Sequence, residues 1–416
     1  MKRALLIAFH HPPCTGTSGV QRATRFAQYL PEFGWQPEVL TATPGAYERT
    51  STADDTPTSY LVHRALALDA ARHLSIRGRY PAFIARPDRW ASWLLFAIPK
   101  GLQAIRQKRP DALWSTYPIP TAHLVAHALH RLTGIPWVAD FRDPMAHEGY
   151  PADPKLWRAF ERVEQRVFSR ASIATFTTPG ARQLYKERYR WQDDRLDVIE
   201  NGFDEGLFEQ ARHLVAGFEA PNDQRILLHS GVVYPEWRNP RALFRALRSL
   251  IEAGHPGATQ IRIRFRAPAH DAFIQELARA ENVIDQVETL PPIPHSLAVA
   301  EMLAAQGLLL LQSAGCNDQV PAKIYEYLRT GHPIIALADA AGDTARVLAQ
   351  HGQQLVASID SEEETREALL RWLDQRPRHP TDVEEIDAPY SRRRCTERLT
   401  KVLDKALLMN AHLRAH

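Results

Sequence analysis

The sequence contains few cysteines and no strong excess of charge. Only three cysteines, Cys14, Cys316 and Cys395, occur among 416 residues, and they are isolated from one another. This usage excludes a disulfide framework or a cysteine metal site and is typical of a reducing compartment. The net charge of +3 is small for a chain of this length, so the composition does not favour binding to nucleic acid.

Long hydrophobic runs are also missing. No segment reaches about 18 uninterrupted apolar residues, so no helix is predicted to span a bilayer. The apolar run near the start, in MKRALLIAFHHPP, is too short for a signal sequence and is better interpreted as a buried strand. We therefore expect a cytoplasmic protein.

Arginine residues crowd one stretch of the first half of the chain. They form either a solvated loop or an electrostatic contact with an anionic acceptor or with the cytoplasmic face of a membrane. The crowded residues are Arg72, Arg77, Arg79, Arg86 and Arg89.

Short apolar runs alternate with helical patterns twice along the chain. This alternation predicts parallel sheets joined by crossover helices. We predict an α/β fold of two doubly wound, Rossmann-like domains at residues 1–204 and 205–385, with a last helix at 386–416 after a linker rich in proline and acidic residues. The first four strands of the second domain are predicted in the segments RILLHSG, IRIRFRA, GLLLLQ and PIIALA.

Two loops that follow strands of the first half contain candidate site residues. In HHPPCTGTSGVQR, Gly16 and Gly19 precede a helix that is predicted to begin near Val20, where backbone N–H groups favour an anion; the alternative is a tight strand–helix turn. In WVADFRDPM, a carboxylate of Asp140 or Asp143 could orient a hydroxyl or accept a proton. The alternative is a structural salt-bridge cluster that Arg142 forms with both aspartates.

Two loops of the second half favour a phosphate-bearing ligand. Lys323 lies near a helix start, where a phosphate is favoured, and Glu326 follows one turn later. A cation for a diphosphate and a carboxylate for ribose hydroxyls match a nucleotide-sugar; the alternative is a surface ion pair between the two. In HSGVVYPEWRNP, Gly231 lets the backbone approach a ligand and Arg238 could reach the diphosphate, or could be solvated.

These loops resemble those of retaining glycosyltransferases with the two-Rossmann GT-B fold, in family 4. Seven residues separate Asp318 from Glu326, and Asp318 stands where the family has the first of its two glutamates. Arg142 stands where many relatives have histidine. Glu200 stands where proline is usual. The segments that carry the resemblance are HHPPCTGTSGVQR, DALWSTYPIPTAHLVAHALHRLTGIPWVADFRDP, VIENGFDEGLF and VPAKIYEYLRTGHPII.

The resemblance implies a fold, a reaction and a division of roles. The two domains face a cleft, and the last helix crosses back to the first domain. Gly231, Arg238, Lys323 and Glu326 then bind the nucleotide-sugar donor in the second domain. The acceptor, a glycan or a lipid-linked hydroxyl, lies near Gly16, Gly19, Asp140 and Asp143 in the first domain. The residues assigned to catalysis are Asp140, Arg142, Asp143 and Asp318.

The implied activity is retaining transfer of a sugar, in the biosynthesis of a cell-surface polysaccharide. It needs no metal or other cofactor, and the sequence contains no Asp-x-Asp metal motif. Two alternatives are a nucleotide-sugar 2-epimerase and a non-catalytic nucleotide-sugar-binding scaffold.

Overall fold

A computed structural model describes residues 1–15, 18–51, 59–221, 223–375 and 389–415. The chain separates into two compact units. The first contains residues 1–201 and 392–416, and the second contains residues 202–391. The predicted boundary between residues 385 and 386 lies outside the described residues.

The first unit contains a seven-stranded sheet in which every paired strand is parallel. The strand order is β3-β2-β1-β4-β5-β6-β7, so the chain reverses its direction of winding between β1 and β4. The strands are β1 (Lys2–Ile7), β2 (Trp35–Ala42), β3 (Leu61–Ala65), β4 (Ala112–Thr116), β5 (Trp137–Arg142), β6 (Ile173–Phe176) and β7 (Leu196–Val198).

Helices cover both faces of this sheet, because its central strands are apolar on both sides. The last helix of the chain belongs to this unit, as the resemblance implied, and it buries Cys395, Leu399 and Leu403 against the sheet. The helices are α1 (Ser18–Tyr29), α2 (Trp93–Gln107), α3 (Pro120–Thr133), α4 (Pro154–Arg170), α5 (Pro179–Tyr189) and α13 (Arg392–Ala415).

The second unit repeats this topology with six parallel strands. The order is β10-β9-β8-β11-β12-β13, and winding reverses between β8 and β11. The strands are β8 (Arg225–Ser230), β9 (Ile261–Arg266), β10 (Val287–Leu290), β11 (Gly307–Leu311), β12 (Ile334–Leu337) and β13 (Val356–Ala357). The helices are α6 (Glu205–Arg212), α7 (Arg241–Glu252), α8 (Asp271–Ala280), α9 (His295–Ala304), α10 (Lys323–Thr330), α11 (Asp343–Gln350) and α12 (Glu362–Leu373).

The prediction of two doubly wound parallel α/β domains is confirmed. In such sheets, ligands bind beyond the carboxyl ends of the strands at the point where the winding reverses. The loops after β1 and β4, and those after β8 and β11, are therefore the places to search for a site.

Some elements are absent from the sequence-based prediction. The strands β3 and β10 lie at sheet edges, where one side of the backbone is unpaired and the hydrophobic signal is weak. Helix α2 contains Pro99 and Gly101, which interrupt the helical pattern. The glycine is required by packing, because a Cβ atom there would lie 2.7 Å from Cδ1 of Leu129 on α3. Helix α8 was also missed.

Candidate functional site

Two predicted donor-site residues meet where the winding of the second sheet reverses. Gly231 directly follows β8, and Lys323 is the first residue of α10, which follows β11. Gly231 has a φ of +117°, a conformation that side chains disfavour, and a Cβ atom there would lie 2.9 Å from Nζ of Lys323. A glycine is therefore needed both for the turn and for the approach of the ammonium group.

His229, which the sequence analysis did not single out, holds this ammonium group. Its Nδ1 lies 2.9 Å from the carbonyl oxygen of Leu309 and its Nε2 lies 3.2 Å from Nζ of Lys323. Nδ1 must donate to the carbonyl, so Nε2 accepts from the lysine. Burial, reinforced by the charge of Lys323, holds the pKa of His229 well below its usual value, which keeps the imidazole neutral.

Arg238 supplies a second cation beside Lys323. Its Nη1 donates to the carbonyl oxygen of Val232 at 2.7 Å, and its guanidinium lies over the ring of Tyr234, 5.3 Å from the centroid. Burial and, to a smaller extent, repulsion from Arg238 lower the pKa of Lys323 to about 7, although Glu326 acts in the opposite direction. Within the described part of the chain, no carboxylate forms an ion-pair contact with either cation, so an anion would be stabilised here.

Glu326 does not form the ion pair with Lys323 that their spacing along α10 allows. Its Oε1 lies 3.0 Å from Nε2 of His295, the first residue of α9, and only 15% of its side chain is exposed. The alternative interpretation of Lys323 and Glu326 as a surface ion pair is therefore wrong. A carboxylate held by a histidine beside two cations can accept hydrogen bonds from vicinal hydroxyls.

Asp318 lies in the exposed loop that leads to α10. Gln312, at the end of β11, fixes this loop by donating to the carbonyl oxygens of Cys316 and Gln319 at 2.7 and 2.9 Å. The catalytic role of Asp318 stays a prediction, because the residue is placed in the loop rather than on a regular element.

Asp140 in the first unit has a structural environment that corrects its predicted role. Arg22 donates to both carboxylate oxygens, at 2.8 and 2.9 Å, and the hydroxyls of Thr116 and Thr175 each donate at 2.8 Å. Burial acts to raise the pKa of Asp140, but Arg22 and these hydrogen bonds outweigh it and hold the pKa below its usual value. The side chain is completely buried, so it fixes the end of β5 and has no surface for a substrate. The ion pair of Asp140 is with Arg22, and Arg142 lies close enough to interact electrostatically with both aspartates.

Arg142 and Asp143 form a strained strand end beside this ion pair. The pairing of β5 with β6 is irregular between Asp140 and Arg142, and Arg142 has a φ of +60°, which a residue with a side chain rarely adopts. Burial raises the pKa of Asp143, and the Arg142 guanidinium opposes that rise. Such strain occurs frequently at functional sites. Asp143 is partly exposed and so presents its carboxylate to a ligand better than Asp140 does.

Gly19 lies in the first turn of α1 and is buried. It lines a shallow depression, too small to enclose a water molecule, together with His10, which follows β1, and with Thr116 and Tyr117 at the end of β4. This is the reversal point of the first sheet, where ligands are expected. Gly16 lies outside the described residues.

Four residues that shape these sites were not predicted from the sequence. No sequence spacing predicts which histidine contacts a lysine or a glutamate of another element. Nor does the position of an arginine in a helix predict which distant carboxylate it contacts. The signals that could have drawn attention are the position of His229 directly before a strand-end Ser-Gly and that of Arg22 at the end of the Gly-rich segment. The four residues are Arg22, Tyr234, His229 and His295.

Two general properties of the described residues bear on function. None of their helices combines the length and apolarity needed to cross a membrane. Nor do they contain a group of three or more His, Cys, Asp or Glu residues that could hold a metal ion.

Part of the first unit is similar to a known protein family. Residues 18–202 match the family model described as a glycosyl transferase 4-like domain. A search of curated proteins found no match.

Solved structures share the fold of the whole chain. Sucrose-phosphate synthase from Thermosynechococcus elongatus is 16% identical, with a TM-score of 0.64 and coverage of 100% of this chain and 99% of that one. HepE from Anabaena, in complex with UDP and glucose, is 12% identical, with a TM-score of 0.58 and coverage of 100% and 99%. WaaG, a glycosyltransferase involved in lipopolysaccharide biosynthesis, is 15% identical, with a TM-score of 0.59 and coverage of 98% and 95%.

At these identities the solved structures show the fold alone. The chain therefore has the GT-B fold, and its residues 18–202 match the glycosyl transferase 4-like domain model.

Proposed function

We propose that this protein is a retaining glycosyltransferase that moves a hexose from a nucleotide-diphosphate sugar to a hydroxyl group of a glycan or lipid-linked acceptor. The observation that carries the proposal is the convergence of Lys323 and Arg238 beyond Gly231, at the reversal point of the second sheet. Two partly desolvated cations without an ion-pair contact favour a ligand with two adjacent negative charges, and a diphosphate has this property.

The proposed reaction begins with cleavage of the bond between the sugar and the diphosphate. The bonding electron pair passes to the leaving phosphate oxygen, so negative charge grows on the diphosphate and positive charge on the sugar ring. Lys323 and Arg238 stabilise the leaving group electrostatically. The acceptor oxygen then forms its bond to the sugar from the face that the diphosphate leaves, and its proton passes to a phosphate oxygen. This scheme uses no metal, no other cofactor and no protein nucleophile.

Within this proposal the remaining candidate residues have separate tasks. Glu326, held by His295, accepts hydrogen bonds from the ribose hydroxyls. Asp318 lies in the loop before the Lys323 helix and is assigned to the transferred sugar. The acceptor is assigned to the strand ends of the first unit, beside Gly19, Arg142 and Asp143.

The acceptor class and the location of the protein extend the same proposal. We assign the reaction to cell-surface polysaccharide biosynthesis in the cytoplasm, with a peripheral contact to the membrane. The support is that Ile76 and Phe83 of the first unit are 80% and 72% exposed and that Arg77 and Arg79 are exposed at the turn that Ile76 and Arg79 close. Basic side chains near a surface of anionic lipid each contribute about 1 kcal/mol. Sedimentation with anionic but not with zwitterionic vesicles is expected, and the membrane contact is excluded if neither vesicle carries the protein down.

The direct test is a thermal-shift screen against UDP-, GDP-, dTDP- and ADP-sugars. A ligand that binds only the folded protein raises the midpoint of unfolding by mass action. We expect one nucleotide class to do so in the wild type, and not in a protein carrying both Lys323→Met and Arg238→Met. If no nucleotide-sugar shifts the wild type, the proposed function is wrong.

Two measurements separate transfer from its alternatives. Incubation of the protein with UDP-GlcNAc in the absence of acceptor changes the sugar only if the protein is an epimerase. Release of free nucleotide that depends on an added acceptor extract excludes a non-catalytic scaffold.

A further inference from the structure

Two large aromatic side chains are exposed in the loop between β8 and α7. Tyr234 is 41% exposed and Trp237 is 53% exposed. Their ring centroids are 6.0 Å apart and their planes are inclined by 56°. Exposed aromatic rings provide flat apolar surfaces with little conformational freedom, and ligand sites use such surfaces frequently.

This aromatic pair is continuous with the two cations. The backbone N–H groups of Trp237 and Arg238 both donate to the carbonyl oxygen of Tyr234, at 3.1 and 2.8 Å, which fixes the turn. The Arg238 guanidinium in turn lies over the Tyr234 ring, at 5.3 Å. A ligand bound by Arg238 therefore has the aromatic pair as its immediate neighbour.

The contacts place the groups of the site in a defined order. His295 contacts Glu326, and Lys323 precedes Glu326 by one turn of α10. Nζ of Lys323 lies beside Gly231, Arg238 donates to the carbonyl oxygen of the next residue, Val232, and its guanidinium lies over the ring of Tyr234. The Glu326 carboxylate, which can bind hydroxyl groups, is thus at one end of this row of contacts and the aromatic pair is at the other end. The two cations lie between them.

A nucleotide-diphosphate sugar has its parts in a matching order, because the diphosphate separates the nucleoside from the sugar. With the ribose at Glu326 and the diphosphate at the cations, the sugar is the part that reaches the other end. We propose that Tyr234 and Trp237 form the subsite for the sugar ring of the donor, an inference that rests on the proposed function. The C–H groups on one face of a pyranose ring pack against an aromatic face, as other apolar groups do.

The test compares two ligands that differ only in the sugar. The nucleotide class is first selected in the thermal-shift screen of the wild type, and the affinities of the nucleoside diphosphate and of its sugar derivative are then measured by calorimetry. The variants are Trp237→Ala, Trp237→Phe, which keeps a flat ring, and Ile284→Ala, a control that removes a side chain 37% exposed elsewhere in the second unit.

We expect Trp237→Ala to weaken binding of the nucleotide-sugar by about two- to tenfold while binding of the nucleoside diphosphate and of inorganic pyrophosphate is unchanged. Trp237→Phe should restore most of the loss, and Ile284→Ala should have no effect. Equal losses for the nucleotide-sugar and the nucleoside diphosphate would place the nucleobase on the pair and overturn the inference, and so would the absence of any loss. Failure of the wild type to bind any nucleotide-sugar would instead refute the proposed function itself.

Discussion

The ammonium group of Lys323 contacts Nε2 of His229, at 3.2 Å, and makes no ion-pair contact with Glu326 one turn later in α10. The imidazole is neutral, so it holds the lysine in place without compensating its charge. The ammonium group therefore has a defined partner, and its charge is not compensated by an ion pair before a ligand arrives. That preorganisation is what a diphosphate site needs, because the cations do not have to be rearranged on binding.

Replacement of Lys323 by methionine tests this relationship directly. The variant keeps the volume of the side chain and removes its charge. Because hydrogen bonds to charged groups contribute about 1.5–3 kcal/mol, pyrophosphate and nucleoside diphosphate should bind about tenfold to hundredfold more weakly in calorimetry. Lys401→Met, at a lysine 71% exposed in the first unit, is the matched control and should bind as the wild type does. Unchanged affinity in Lys323→Met would remove the lysine from the site.

The pH dependence of donor binding should follow Lys323. Burial lowers the pKa of this lysine to about 7, so in the free protein it is charged below that pH and neutral above it. A bound diphosphate favours the charged form and raises the pKa again. Affinity should therefore be highest below about pH 7 and fall by up to about tenfold for each pH unit above it.

Calorimetry in two buffers of different ionisation enthalpy measures the associated proton. At about pH 8 the wild type should take up close to one proton on binding a nucleotide-sugar. Lys323→Arg keeps the charge at all these pH values, so its uptake should vanish and its affinity should become flat with pH. Equal proton uptake in the wild type and the arginine variant would show that another group titrates.

Gly231→Ala tests the close approach of backbone and lysine. The φ of +117° is strained for alanine, and the new methyl carbon would stand 2.9 Å from Nζ of Lys323. The lysine side chain is flexible enough to move, so we expect a loss of stability of about 1–3 kcal/mol from the backbone and a separate loss of diphosphate affinity from the displaced ammonium. Urea unfolding and calorimetry measure the two effects. Gly254→Ala is the control, because its φ of +71° is also positive but its Cβ would meet open space. It should lose stability without losing affinity.

The fold class could be predicted from the sequence because the patterns of buried strands and of amphipathic helices are both local. Buried parallel strands appear in the sequence as apolar runs, and the helices between them appear as amphipathic patterns. The alternation of the two predicts the two doubly wound units. Edge strand β3 was missed because Leu61 is 54% exposed and its neighbours alternate only weakly in hydrophobicity. A strand with one unpaired side carries less of that pattern.

The site was predictable only in part, for a physical reason that Asp140 illustrates. Residues that follow strands could be located, since the carboxyl ends of parallel strands meet at one edge of the sheet. The partner of a buried charge could not, because Arg22 is separated from Asp140 by more than a hundred residues and reaches it only after folding. His229 and His295 were missed for the same reason, because each positions a charged residue from another element.

Asp140→Asn should destabilise the first unit, because the Asp140 carboxylate is buried in an ion pair. The change leaves the completely buried Arg22 without a compensating charge, which typically costs about 3–5 kcal/mol. Urea unfolding followed by tryptophan fluorescence should show this loss. Glu367→Gln breaks an exposed pair with Arg371 and should change the free energy of unfolding by less than about 1 kcal/mol. A variant as stable as the wild type would mean that the ion pair with Arg22 does not form.

Glu326→Gln tests which part of the donor Glu326 binds, the nucleoside or the phosphates. If Glu326 binds ribose, Glu326→Gln should weaken the nucleoside diphosphate by about tenfold or more, because hydrogen bonds from hydroxyls to a carboxylate are stronger than those to an amide. Inorganic pyrophosphate has no ribose, so its affinity should change little. His295→Ala removes only the group that orients the carboxylate, 3.0 Å away, and should have a smaller effect of the same kind. Calorimetry with both ligands is decisive: a loss of equal size for pyrophosphate and nucleotide would mean that Glu326 acts on the charge of Lys323 and not on the sugar hydroxyls.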